Sequence, residues 1–146
     1  MNLKDIHRIL VPTDLESGSL RALEWAVTLG RRFDSTIRLF HACVVPPVTT
    51  EFVPSLGPIE AAAHAAMSTF VSGASKDYPG LESGVRVGVG AANVVLSEIE
   101  SWSPDLVIMS THGRTGITRF FIGSVAENVA RHSSSPVLLV RPIEKD

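Results

Sequence analysis

A chain of 146 residues and 15.7 kDa is long enough to bury a core as one domain, residues 1–146, without disulfide or metal staples. Lys+Arg 13 against Asp+Glu 15 leave a net charge of -2 and no basic excess to neutralise a duplex, so nucleic acid is not an expected partner. The single cysteine, Cys43, excludes an intrachain disulfide and fits a cytoplasmic compartment, and the apolar runs are strand-sized, so neither export nor a membrane is expected.

Ile9-Leu10-Val11 predicts a first strand, ended at Pro12-Thr13-Asp14 where a proline stops the ladder. From Ser17, the residues Leu20, Leu23, Ala26, Val27 and Gly30 keep a helical period, with Arg31 and Arg32 in the last turn where cations suit the helix dipole. Thr36 to Val44 is nearly all apolar and predicts a second strand, broken by Pro46-Pro47. Residues 46–58 hold four prolines and no regular period, and read as a long loop. Pro58 suits the first turn of a second helix with Ile59, Ala63, Met67 and Phe70 on its apolar face, ending before Pro79-Gly80.

The segment Val85-Arg86-Val87-Gly88-Val89 alternates and carries a charge, so it predicts a strand with one buried face. A third helix runs from about Ala92 to Trp102, a fourth strand from Asp105 to Ser110, a fourth helix from Ser124 to His132, and a fifth strand over Val137-Leu138-Leu139-Val140. Strands alternating with helices at this spacing call for an α/β fold with an open parallel sheet and helices on both faces. Two strand orders compete, 2-1-3-4-5 and 3-2-1-4-5. Alternation and Arg86 put the third strand at an edge and favour 3-2-1-4-5. In that order the winding reverses between strands one and four, and ligands in open α/β sheets bind in such a crevice, outside the carboxyl ends of the strands.

The stretch Ser110 to Val125, STHGRTGITRFFIGSV, ends at that crevice beside Asp14. Gly113, Gly116 and Gly123 let backbone approach a ligand, and Arg114 and Arg119 stand in a window free of carboxylates from Leu106 to Ala126. A strand, a glycine-bearing loop and a helix start together offer unpaired N–H groups to phosphate. The competing readings are structural: Ser124-x-x-Glu127 as a capping box, and Asp14 as the cap of the first helix or its approach turn. His7, His41, His64, His112 and His132 show no metal-ligand spacing, and Gly88-x-Gly90-x-x-Asn93 lacks the third glycine of a dinucleotide fingerprint and reads as a turn. Neither a P-loop nor a G-x-S-x-G elbow occurs.

The ordered set Ile9-Leu10-Val11-Pro12-Thr13-Asp14, Leu39-Phe40-His41-Ala42, Asp105-Leu106-Val107-Ile108-Met109, His112-Gly113-Arg114, Gly123-Ser124-Val125 and Pro136-Val137-Leu138-Leu139-Val140 resembles the universal stress proteins, small α/β domains many of which bind ATP. The resemblance covers essentially the whole chain and implies a Rossmann-like, adenine nucleotide alpha hydrolase-like fold. The family's pattern of G-x-x-G, nine residues and G-[S/T] stands here as Ser110-Thr111-His112-Gly113, nine residues and Gly123-Ser124, with a serine in place of the first glycine. The Ser110 side chain is expected to crowd and weaken ATP binding, though its hydroxyl offers a contact to ribose or phosphate.

By resemblance, Asp14 faces the ribose hydroxyls, Ala42 and Met109 border the adenine, and Gly113, Arg114, Gly123, Ser124 and Val125 hold the phosphates, with Pro12, Thr13, Ser110, His112 and Gly116 completing the set. ATP, or AMP or ADP, is the expected ligand, with Mg or Mn accompanying it. Val137 to Val140, a flat apolar edge strand, invites pairing across a two-fold axis, and the resemblance implies the same homodimer. The expected function is a nucleotide-dependent stress-response module acting on an unidentified protein partner. A slow ATPase or phosphoryl- or nucleotidyl-transferring enzyme, and a nucleotide-independent interaction domain, are the alternatives.

Overall fold

The computed structural model describes residues 5–47, 55–74, 77–111 and 122–142. In chain order the elements are β1 (Arg8–Thr13), a 3-10 turn (Ser17–Ser19), α1 (Leu20–Phe33), β2 (Thr36–Val44), α2 (Leu56–Ala74), β3 (Leu81–Gly88), α3 (Ala91–Trp102), β4 (Leu106–Ser110), α4 (Ser124–His132) and β5 (Val137–Val140). The sheet runs β3-β2-β1-β4-β5 with every neighbouring pair parallel. This is the order favoured from the edge-like pattern of the third strand.

Side chains alternate across a strand, so the central apolar runs feed two cores. Ile9, Val11, Ile37, Leu39 and Ile108 join Leu23, Ala26 and Met67 of α1 and α2 on one face. Leu10, Phe40, Val107 and Met109 join Val95, Ile99, Ala126 and Val129 of α3 and α4 on the other. The two sides are thus α1 with α2, and α3 with α4. A charged cluster ties α3 to the β3 edge: Glu98, nearly buried, receives Arg38 at 2.6 Å and Arg86 at 2.9 Å, and Arg38 lies 4.2 Å from the centroid of the Trp102 ring.

Several boundaries differ from expectation for physical reasons. Pro12 does not end β1, which continues to Thr13 in register with β2, Pro12 opposite Phe40 and Thr13 opposite His41. The β1–β4 ladder has stopped by then, at Leu10 opposite Val107, and a strand with one open side tolerates a residue without an N–H. β3 starts at Leu81 rather than Val85 because its polar first half, Leu81 to Gly84, pairs in register with Ile37 to Phe40. The second helix starts at Leu56, so the irregular stretch expected over 46–58 stops short of it, and residues 48–54 lie outside the described ones. Asp105 precedes β4 and accepts the N–H groups of His7 and Arg8 at 2.9 Å each, which sets the start of β4 beside the start of β1. The Gly88-x-Gly90 segment is the expected turn: Gly90 has φ 78, and a Cβ on Gly88 would come within 2.6 Å of Val94.

Candidate functional site

β1 and β4 part after Leu10 and Val107. Beyond that point β1 stays with β2, while β4 stays with β5 as far as Ser110 opposite Val140. The chain leaves β1 for α1 on one face, and α4, which follows β4, packs on the other. A cleft of about 510 Å³ opens between them at the carboxyl ends of the strands. Among the expected site residues, Pro12, Thr13, Asp14, Ala42, Met109, Ser110, Gly123, Ser124 and Val125 all line it. His112, Gly113, Arg114 and Gly116, with Arg119, lie outside the described residues.

The β1–α1 connection is held by an internal network whose protons can be assigned. The Ser19 hydroxyl donates to the carbonyl of Glu16 at 2.8 Å, which uses its one proton. The 2.6 Å contact between Thr13 Oγ1 and Ser19 Oγ is therefore donated by Thr13. Thr13 Oγ1 in turn accepts the Leu15 N–H at 3.0 Å, and this bond supports Leu15 in the left-handed region at φ 66. Asp14 Oδ1 accepts the Glu16 N–H at 3.0 Å, an Asx turn that leaves carboxylate lone pairs for the cleft. The capping alternative for Asp14 is thus half realised: the carboxylate caps the approach turn, not α1, whose own cap residue is Ser19.

Neighbouring strands anchor this connection from both sides. His41 Nδ1 lies 3.0 Å from the carbonyl of Thr13, and because a carbonyl only accepts, Nδ1 carries the hydrogen. From β4, Ser110 Oγ donates to the carbonyl of Gly18 at 2.8 Å. The Ser110 hydroxyl is therefore already committed as a donor.

At the opposite wall α4 starts without a side-chain cap. Its cap residue is Gly123, which has no side chain to offer, and Ser124 is already the first helical residue. The capping box does not form, and Glu127 instead meets Arg131 at 3.0 Å. Gly123 N–H donates to the Thr111 carbonyl at 2.5 Å, which brings the helix start back beside the end of β4. The first bond within the helix is Glu127 N–H to Gly123 O, so among the described residues the N–H groups of Ser124, Val125 and Ala126 have no helical partner, and all three residues border the cleft.

Between these polar ends Ala42, Val44, Val95 and Met109 form an apolar wall. Among the described lining residues Asp14 is the one carboxylate, with His41 and Cys43 beside it. No group of three or more His, Cys, Asp or Glu side chains suited to a metal ion occurs among the described residues. Ser19, His41, Cys43, Val44, Ala91, Val95, Thr111 and Ala126 line the cleft without having been singled out from sequence. For His41 the signal was weak: a histidine in an apolar strand gains its role only from lying opposite Thr13.

A family model described as the Universal stress protein family matches residues 5–141. Universal stress protein MJ0531 of Methanocaldococcus jannaschii is 30% identical over 146 residues, covering 95% of this chain and 84% of that protein. Among solved structures, universal stress protein UspA from Lactobacillus plantarum superposes with a TM-score of 0.75 at 22% identity, covering 93% of this chain and 98% of that one. A universal stress protein family protein from Arabidopsis thaliana with AMP bound gives 0.63 at 19% identity, covering 94% and 92%.

The network around Thr13 carries a stability prediction. Thr13→Val keeps the shape but leaves the Leu15 N–H without its acceptor, and should lower unfolding free energy by about 1–3 kcal/mol in a urea titration, with unchanged far-UV circular dichroism.

Proposed function

Because this chain belongs to the universal stress protein family, we propose that it binds ATP in the cleft between β1 and β4 and acts as a nucleotide-dependent stress-response module. The observation that supports this most is the pairing of two polar ends across one apolar wall. Asp14 offers a carboxylate at one end, and the start of α4 offers, at the other, three N–H groups with no partner among the described residues and the positive end of a helix dipole. A volume of about 510 Å³ is in the range of small-molecule sites. In this reading the ribose hydroxyls meet Asp14, the adenine lies on Ala42 and Met109, and the phosphates meet Gly123, Ser124 and Val125, with Gly113 and Arg114 joining from the loop. The AMP bound to the Arabidopsis protein makes AMP and ADP reasonable competitors. Mg or Mn enters with the phosphates and neutralises their charge, since Asp14 is the one carboxylate among the described lining residues.

A binding role fits the cleft better than turnover. Phosphoryl transfer to water needs a group that orients the attacking oxygen at the phosphates. Asp14 is engaged with the Glu16 N–H and His41 with the Thr13 carbonyl, both on the β1 side of the cleft and away from the α4 start. We therefore place the protein as a cytoplasmic regulator whose nucleotide state is read by a protein partner, with hydrolysis slow at most. β5 lies at a sheet edge with three of its four residues half-buried, and we propose that it pairs with its counterpart in a homodimer.

Two outcomes test this reading. In calorimetric titration of Mg·ATP into protein stripped of nucleotide by unfolding and refolding, wild type should bind at micromolar strength. Asp14→Asn, which keeps the Asx-turn acceptor but removes the charge, should weaken ATP about tenfold or more while leaving inorganic triphosphate unchanged. No heat from demonstrably refolded wild type contradicts the proposal. Light scattering at micromolar concentration should show a dimer that becomes a monomer on Leu139→Pro, whereas a wild-type monomer removes the β5 pairing.

A further inference from the structure

We propose that Ser110 is a positioning residue: its hydrogen bond to the Gly18 carbonyl holds the β1–α1 connection across the crevice and so fixes the carboxylate of Asp14 relative to the start of α4. The proposal deepens the nucleotide reading and rests on it only for the identity of the ligand. Backbone pairing between β1 and β4 ends at Leu10 and Val107, so past that point side chains must set the distance between the two walls of the cleft. Ser110, half-buried at the last position of β4, does so by donating at 2.8 Å to a carbonyl in the 3-10 turn. That turn is not loose. Thr13, Ser19, Leu15 and Glu16 lock it internally, and His41 holds its near end, so fixing Gly18 fixes the whole connection, Asp14 included.

Proton accounting also changes what Ser110 can offer a ligand. Its single hydroxyl proton goes to Gly18, so only acceptor lone pairs remain. Ionised phosphate is itself acceptor-only, hence Ser110 is no phosphate ligand while this bond stands, and its influence falls on the sugar end. A glycine at this position would relieve crowding but would also release the connection. Crowding and positioning therefore make opposite statements about Ser110→Gly.

Amide hydrogen exchange in the free protein reads the bond without any ligand. In Ser110→Ala, Leu15, Glu16 and Ser19 should exchange about fivefold faster, the weight of one ordinary hydrogen bond. Ser110→Thr, which keeps the hydroxyl, should restore the wild-type rate. Gly18→Ala keeps the carbonyl and meets nothing within 4 Å, and should leave exchange unchanged. In calorimetry with Mg·ATP, Ser110→Ala and Ser110→Gly should both bind about fivefold more weakly and Ser110→Thr as wild type, with inorganic triphosphate the same for all. Unaltered exchange in Ser110→Ala, no rescue by threonine, or tighter ATP binding by Ser110→Gly would overturn the proposal. If wild type binds no ATP yet the exchange pattern holds, the nucleotide reading falls and the positioning role stands.

Discussion

The short ladder between β1 and β4 is the constraint on which the rest depends. Two register pairs, Ile9 with Leu106 and Leu10 with Val107, join these central strands, and then each keeps only its outer neighbour. Parallel strands need crossover helices, and the winding reverses here, so the two crossovers that flank the gap go to opposite faces. Among the described residues, no backbone pairing joins β1 to β4 beyond Leu10 and Val107. Side-chain hydrogen bonds from Thr13, Ser19, His41 and Ser110 shape one wall, and the start of α4, whose cap residue Gly123 has no side chain, forms the other.

This arrangement explains why the cleft is polar at its ends and apolar between them. The alternation that sends Met109 toward α3 and α4 also places it on the wall shared with Ala42 and Val95, while the polar ends come from backbone and short side chains at strand termini. Asp14 and His41 each make one hydrogen bond that holds the β1–α1 connection.

Much of the fold was legible because its signals are local. The apolar runs of β1, β2, β4 and β5 and the period of α1 need no tertiary information, and the charge and alternation of β3 sufficed to place it at the edge. Legibility failed where a partner distant in sequence decides the outcome. Pro12 reads as a terminator until β4 is seen to have left its side. Ser124-x-x-Glu127 reads as a capping box until the helix is seen to begin after Gly123, one residue too early for Ser124 to cap it. His41 and Ser19 carry no pattern of their own, since their roles exist only through Thr13. Ser110 was visible as a departure from the family pattern, but its partner, Gly18, lies 92 residues away in sequence. The expected phosphate loop residues His112, Gly113, Arg114 and Gly116 fall outside the described residues.

Amide chemical shifts of the isotopically labelled protein during titration with Mg·ATP would report where the nucleotide binds. Binding in the cleft should give saturable shifts at Thr13, Asp14, Ala42, Thr111, Ser124 and Val125, on both walls of the β1–β4 gap. Shifts confined to another surface, such as the Arg38, Glu98 and Trp102 cluster, or no saturable shift at all, would contradict it.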